Sequence, residues 1–134
     1  MATIFSRIIN GEIPSYKVAE DNDFFAFLDI HPLAKGHTLV VVKKEVDYIF
    51  DLDDVLYKKL FIFSRRVGRS IEKVIDCQRI GIAIVGLEIP HAHIHLIPLN
   101  SMDDMDFKRQ PLQLLPEEFL DIASKINRAF QQEK

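Results

Sequence analysis

The chain has a single cysteine and no surplus of basic charge, and each of these shortages removes a class of protein. Cys77 alone cannot close an intrachain disulfide, which suits a reducing compartment and excludes a disulfide-stapled secreted scaffold. Close to Ile75 and Ile80, it reads as a small buried residue, and nothing beside it suggests an activated thiolate. The formal net charge of −3 lacks the clustered basic footprint of a nucleic-acid binder. The densest basic run, RRVGR at 65–69, alternates with apolar positions and reads as the solvated face of a helix. No segment approaches the roughly 20 consecutive apolar residues of a membrane helix. The opening MATIFSRIINGEIP lacks the apolar stretch of a secretory signal. A soluble cytoplasmic protein, with neither nucleic acid nor membrane as a partner, is expected.

What the chain does contain is core-forming material. Apolar residues make up 48% of 134 positions, ten of them phenylalanine, enough for one domain with its own core. We find no internal repeat and no linker, so residues 1–134 are read as a single domain. TIFSRIIN is a short helical or irregular opening segment, ended by Gly11 and Pro14. YKVAED and FFAFLD flank Asp21, Asn22 and Asp23, a turn composition, and predict an antiparallel hairpin. After the loop HPLAKG, HTLVVVKK is the clearest strand. From Leu52 to Ile75 the period changes: Leu56, Leu60, Phe63, Val67, Ile71 and Val74 mark one face of a long helix, with Asp51, Asp53 and Asp54 at its start. RIGIAIVG predicts a strand, GLEIP a tight connection, and HAHIHLIPL its antiparallel neighbour. LPEEFLDIASKINRAF completes the chain as an amphipathic helix with Pro116 in its first turn. The fold class is α+β: an antiparallel sheet of about five strands, one long helix and a C-terminal helix.

Three of the five histidines fall within PHAHIHLIPLN, residues 90–100. On a strand, His91, His93 and His95 share one face, roughly 6–7 Å apart, while Ala92, Ile94 and Leu96 share the other. A solvated stripe would use Thr, Lys or Glu rather than three imidazoles. A zinc site would recruit His31 or His37, with few carboxylates nearby and no cysteine pair. Phosphate chemistry without a metal needs a neutral imidazole as nucleophile, its other nitrogen held by a hydrogen bond, beside a protonated imidazole that stabilises developing charge. The row favours this third reading.

HAHIHLI at 91–97 resembles the motif of the histidine-triad (HIT) family. The N-terminal half, with IF..II, GEIPS, AF-DI and P…GHTLV, is similar to that family nearly position for position. The resemblance covers residues 1–100 as the family core, leaving 101–134 as a C-terminal loop and helix. It implies hydrolysis or transfer of a nucleotidyl group from a nucleoside 5′-phosphoramidate or a related phosphoanhydride-linked nucleotide, purine by family analogy. His93 would attack the α-phosphate, His95 and His37 would contact the phosphate, and His91 would orient His93. Asp29 falls where the family holds both ribose hydroxyls, and Phe5, Ile8, Phe27, Leu28 and Ile30 where it lines the base pocket. His31, in the nearby loop, reads as ordinary surface. A homodimer joined through the long helix and a sheet edge is implied; a cofactor is not.

Two departures from the family pattern qualify this. Many bacterial members carry Cys-x-x-Cys near the N-terminus, helping to hold a zinc; here Thr3 and Ser6 stand there, so no metal is expected. The family usually precedes its triad with a longer loop bearing Asn, Gly, Gln and a hydroxyl residue. Here the segment is GLEIP, and Glu88 occupies about the place of the hydroxyl. A carboxylate there repels phosphate unless protonated or turned away, yet it can serve as a general acid to an amine leaving group. Two other readings stay open: a nucleotide-binding module with little or no turnover, and a metal-binding protein using the histidine row.

Overall fold

Three strands carry almost nothing but buried residues, and this dictates a sheet covered on both sides. They are β2 (Phe24–Leu28), β3 (Thr38–Val42) and β5 (His93–Leu99), adjacent in a computed structural model that describes residues 2–132. With β1 (Lys17–Glu20) and β4 (Arg79–Ala83) at the edges, the antiparallel order is β1-β2-β3-β5-β4. The predicted hairpin is β1–β2; Asp21 closes it by accepting the backbone N–H groups of Asp23 (2.8 Å) and Phe24 (2.9 Å).

Alternation along the strands builds two separate cores. Phe24, Ala26, Leu28, Val40, Val42, Ile94 and Leu96 face α2 (Asp54–Val74) and α3 (Pro116–Gln132). Phe25, Phe27, Leu39 and Val41 face the opposite way, against Phe5, Ile8 and Ile9 of the short α1 (Ile4–Ile9). Each large side chain so buried contributes roughly 1.5–3 kcal/mol. Asp53 caps α2 by accepting from the Leu56 N–H at 2.8 Å, and Leu60, Phe63, Val67 and Ile71 form its buried stripe. The helix starts later than the periodicity suggested because Leu52 ends a 3-10 turn over Ile49–Asp51.

Registers Leu39↔His95 and Val41↔His93 place both histidines on the α1 face. The predicted strand RIGIAIVG stops at Ala83, and residues 84–92 form an open irregular connection rather than a tight one. The reason lies in competing partners: Ala92 donates to Val46 O (2.7 Å) and accepts from Val42 N (3.4 Å), which draws the chain toward the exit of β3. His91 therefore precedes β5 instead of belonging to it. Among the described residues, no helix is long and apolar enough to cross a membrane.

Candidate active site

A cavity of about 560 Å³ opens on the α1 face of the sheet. Its wall includes Phe5, Ile8, Phe27, Leu28, Asp29, Ile30, His37, Glu88, His93 and His95. Ten of the eleven residues singled out from the sequence thus converge; His91 lies behind the wall, wholly buried. His31, read as ordinary surface, is exposed but forms part of the rim. Cys77 is half-buried rather than buried, and burial pushes its thiol up, away from nucleophilic use.

The cavity floor is a row of four rings. Phe5 packs edge-on against His93, His93 against His95, and His95 against Phe107, each pair with centroids 5.0 Å apart. Local pairing explains the middle of this row, since His93 and His95 are two apart on one strand. Its ends come from α1 and from the segment after β5.

Hydrogen bonds assign the ring protons. The Leu33 backbone N–H donates to His37 Nδ1 at 3.0 Å, so the neutral His37 ring carries its proton on Nε2. That Nε2–H donates to His95 Nδ1 at 3.0 Å, which leaves the proton of neutral His95 on Nε2. His93 Nδ1–H donates to the His91 carbonyl at 2.7 Å, leaving His93 Nε2 as a bare lone pair. One ring thus offers a nucleophilic nitrogen, and its neighbour on the same face offers a donor.

Burial keeps these rings neutral. It lowers His37 to about 4 and, with His37 and His93 nearby, His95 to about 3. His93 is lowered too, chiefly by burial, against the opposing pull of its bond to the His91 carbonyl. The protonated neighbouring imidazole expected from the sequence is therefore replaced, in the free site, by a neutral N–H donor. Asp29 adds a half-buried carboxylate: one oxygen accepts the His31 N–H at 2.9 Å and the other lies 3.5 Å from His37 Nε2.

Asp29, His37 and His95 bring one ligand atom each within 4.8 Å of one another, a span that suits a metal ion. The donor chemistry does not suit it. Ligation by His37 Nε2 would move its proton to Nδ1, where it would face the Leu33 N–H donor-to-donor.

Comparison with known proteins settles the family. The family model of the HIT domain matches residues 10–102. This chain belongs to the HIT family. An uncharacterized HIT-like protein of Borreliella burgdorferi is 36% identical over 132 residues, covering 92% of this chain and 95% of its own. Adenosine 5′-monophosphoramidase hnt1 of Schizosaccharomyces pombe is 35% identical over 100 residues, covering 73% and 74%. The crystal structure of a Hit-like protein involved in cell-cycle regulation from Bartonella henselae superposes with a TM-score of 0.81 at 30% identity, covering 95% of each chain.

The cavity of this HIT protein is also lined by residues not singled out from the sequence. Phe107, Arg109 and Pro111 lie beyond the matched family segment, yet all three line the cavity. Arg109 donates to the Leu33 carbonyl and, at 3.2 Å, to Asp104, which ties the segment after β5 to the loop that bonds His37. An aromatic residue standing alone in the polar run SMDDMDFKRQ was the available signal for Phe107. Leu33 left none, because it acts through its backbone.

Proposed function

We propose that this protein cleaves a nucleoside 5′-phosphoramidate, or a related phosphoanhydride-linked nucleotide, with a purine base, through a nucleotidyl-His93 intermediate. The observation that carries this reading is the His93 Nδ1–H bond to the His91 carbonyl at 2.7 Å, which leaves Nε2 bare and facing a cavity. The relative named adenosine 5′-monophosphoramidase supports the substrate class. His93 Nε2 attacks the α-phosphorus; a P–N bond to His93 forms while the bond to the leaving group breaks, its electron pair departing with that group. His95 Nε2–H donates to a phosphate oxygen, and His37 holds His95 in that tautomer. Glu88, on the cavity wall, serves as general acid to the departing amine and then takes a proton from the water that cleaves the intermediate. Asp29 binds the ribose hydroxyls, and Phe5, Ile8, Phe27, Leu28 and Ile30 enclose the base.

The active form in this reading is a two-fold dimer. The outer strand β4 exposes Ile82 (52%), and Ile62 of α2 (52%) flanks the same groove. Light scattering at micromolar concentration tests it, and a monomer there would end the dimer reading.

A second reading, a binding module with little turnover, is favoured by one feature: residues 84–90 offer a carboxylate but no hydroxyl or amide side chain. AMP release from adenosine 5′-phosphoramidate in chelator, by the wild type and by His93→Ala, separates the two. Release by the wild type alone, with AMP binding kept in the variant, supports catalysis through His93. Equal release by both, or release abolished by chelator, overturns it. AMP binding without release by either selects the module.

A further inference from the structure

His91 is completely buried, so both of its ring nitrogens need partners inside the protein. Nε2–H donates to the Val42 carbonyl at 2.5 Å. In the neutral ring Nδ1 is then bare, and Thr3 Oγ1 meets it at 2.7 Å from 88 positions away in the chain.

Counting protons gives this contact a direction. Ser6 has one hydroxyl hydrogen and donates it to a Glu45 carboxylate oxygen at 2.6 Å, a group that only accepts. The Thr3 hydroxyl is therefore not met by a donor hydrogen from Ser6 Oγ, which lies 3.2 Å away. It does accept the Ser6 backbone N–H at 3.1 Å. Its own hydrogen then has two destinations, Ser6 Oγ at 3.2 Å or the bare His91 Nδ1 at 2.7 Å, and the shorter bond to the better acceptor takes it.

The consequence reaches the nucleophile. The His91 carbonyl that fixes the His93 tautomer belongs to a residue outside the strand ladder, pinned by its ring at both ends and by its N–H to Ile89 O at 2.8 Å. Thr3 is the N-cap of α1 and forms a capping box with Ser6, and Phe5, two residues further along, packs edge-on against both rings, 5.9 Å from His91 and 5.0 Å from His93. Thus α1 addresses this pair of histidines twice, once by a hydroxyl and once by an aromatic ring.

We infer that Thr3 is a positioning residue for His93: its hydroxyl donates to His91 Nδ1 and thereby holds the carbonyl that keeps His93 Nε2 unprotonated. The catalytic consequence rests on the reading of His93 as nucleophile, whereas the proton placement does not.

The test uses the full chain and a readout that needs no turnover, the 15N resonances of the histidine rings. Thr3→Val removes the hydroxyl at nearly constant shape, Thr3→Ser restores it, and Ser6→Ala breaks the capping box while leaving the Thr3 hydroxyl in place. Thr3→Val should shift His91 Nδ1 and move His93 toward a tautomer mixture; kcat should fall on the order of tenfold with little change in KM. Thr3→Ser should return both, and Ser6→Ala should lower the melting temperature without moving the His93 nitrogens. Unchanged His91 and His93 nitrogens in a folded Thr3→Val protein would overturn the inference. Should that variant fail to fold, the unsubstituted protein still decides: the Thr3 hydroxyl proton should exchange slowly and correlate with His91 Nδ1, and absence of that correlation refutes the bond. Absence of turnover in the wild type would remove the proposed reaction, while the nitrogen shifts would still judge the proton placement.

Discussion

The Leu33 backbone N–H donates to the His37 ring at Nδ1 over 3.0 Å, and this bond sets the tautomer of two histidines. Because a backbone N–H can only donate, His37 turns its own N–H toward His95, which must then keep its proton on the far nitrogen. The segment after β5 supports that bond from the other side, since Arg109 holds the Leu33 carbonyl.

Acid should reach the proposed nucleophile late. Burial lowers His93, so kcat/KM should hold through the ordinary imidazole range near 6.5 and fall only at lower pH. A pH–rate profile from 4 to 8 checks this; an acid limb at or above 6.5 contradicts it.

Stability should fall over the same range for a linked reason. The unfolded chain takes up protons on His37 and His95 near 6.5, while the folded rings stay neutral to about 4 and about 3. Between these limits the unfolded state binds more protons, so stability is full above 6.5 and is lost as pH drops toward 4, by on the order of 3 kcal/mol for His37. Urea titrations at pH 7, 6, 5 and 4 measure it, and His37→Gln should flatten the dependence.

Gly36 should resist substitution. Its φ of +90° is in the left-handed region, and an added Cβ would lie 2.8 Å from Ile75 Cγ1. Gly36→Ala should cost about 1–3 kcal/mol and displace His37, the next residue. Thermal unfolding gives the first effect. The His37–His95 nitrogen shifts give the second.

Phe107→Ala should alter discrimination more than catalysis. Phe107 closes the His95 end of the ring row, opposite Phe5. Removing it should change the ratio of kcat/KM for a bulky and a small amine leaving group by roughly tenfold, the scale of 1–2 kcal/mol of lost packing. An unchanged ratio would place the leaving group elsewhere.

Much of this protein is decided by short-range pattern. Period-two alternation puts His93 and His95 on one face, and the spacing of Leu60, Phe63, Val67 and Ile71 makes α2 amphipathic, because side-chain direction follows from the backbone repeat alone. The HIT motif likewise needs no coordinates. Proton placement is different in kind. Whether an imidazole is a nucleophile or a donor depends on which group meets each nitrogen, and those groups arrive from Thr3, Leu33 and the Val42 carbonyl. Two of these contacts use backbone atoms, which every residue type carries and no composition can reveal. Phe107 and Arg109 reach the cavity only because the chain after β5 folds back across the sheet end. Neutrality of the rings is a matter of burial. It exists only once α1, the sheet and that returning segment have excluded water together.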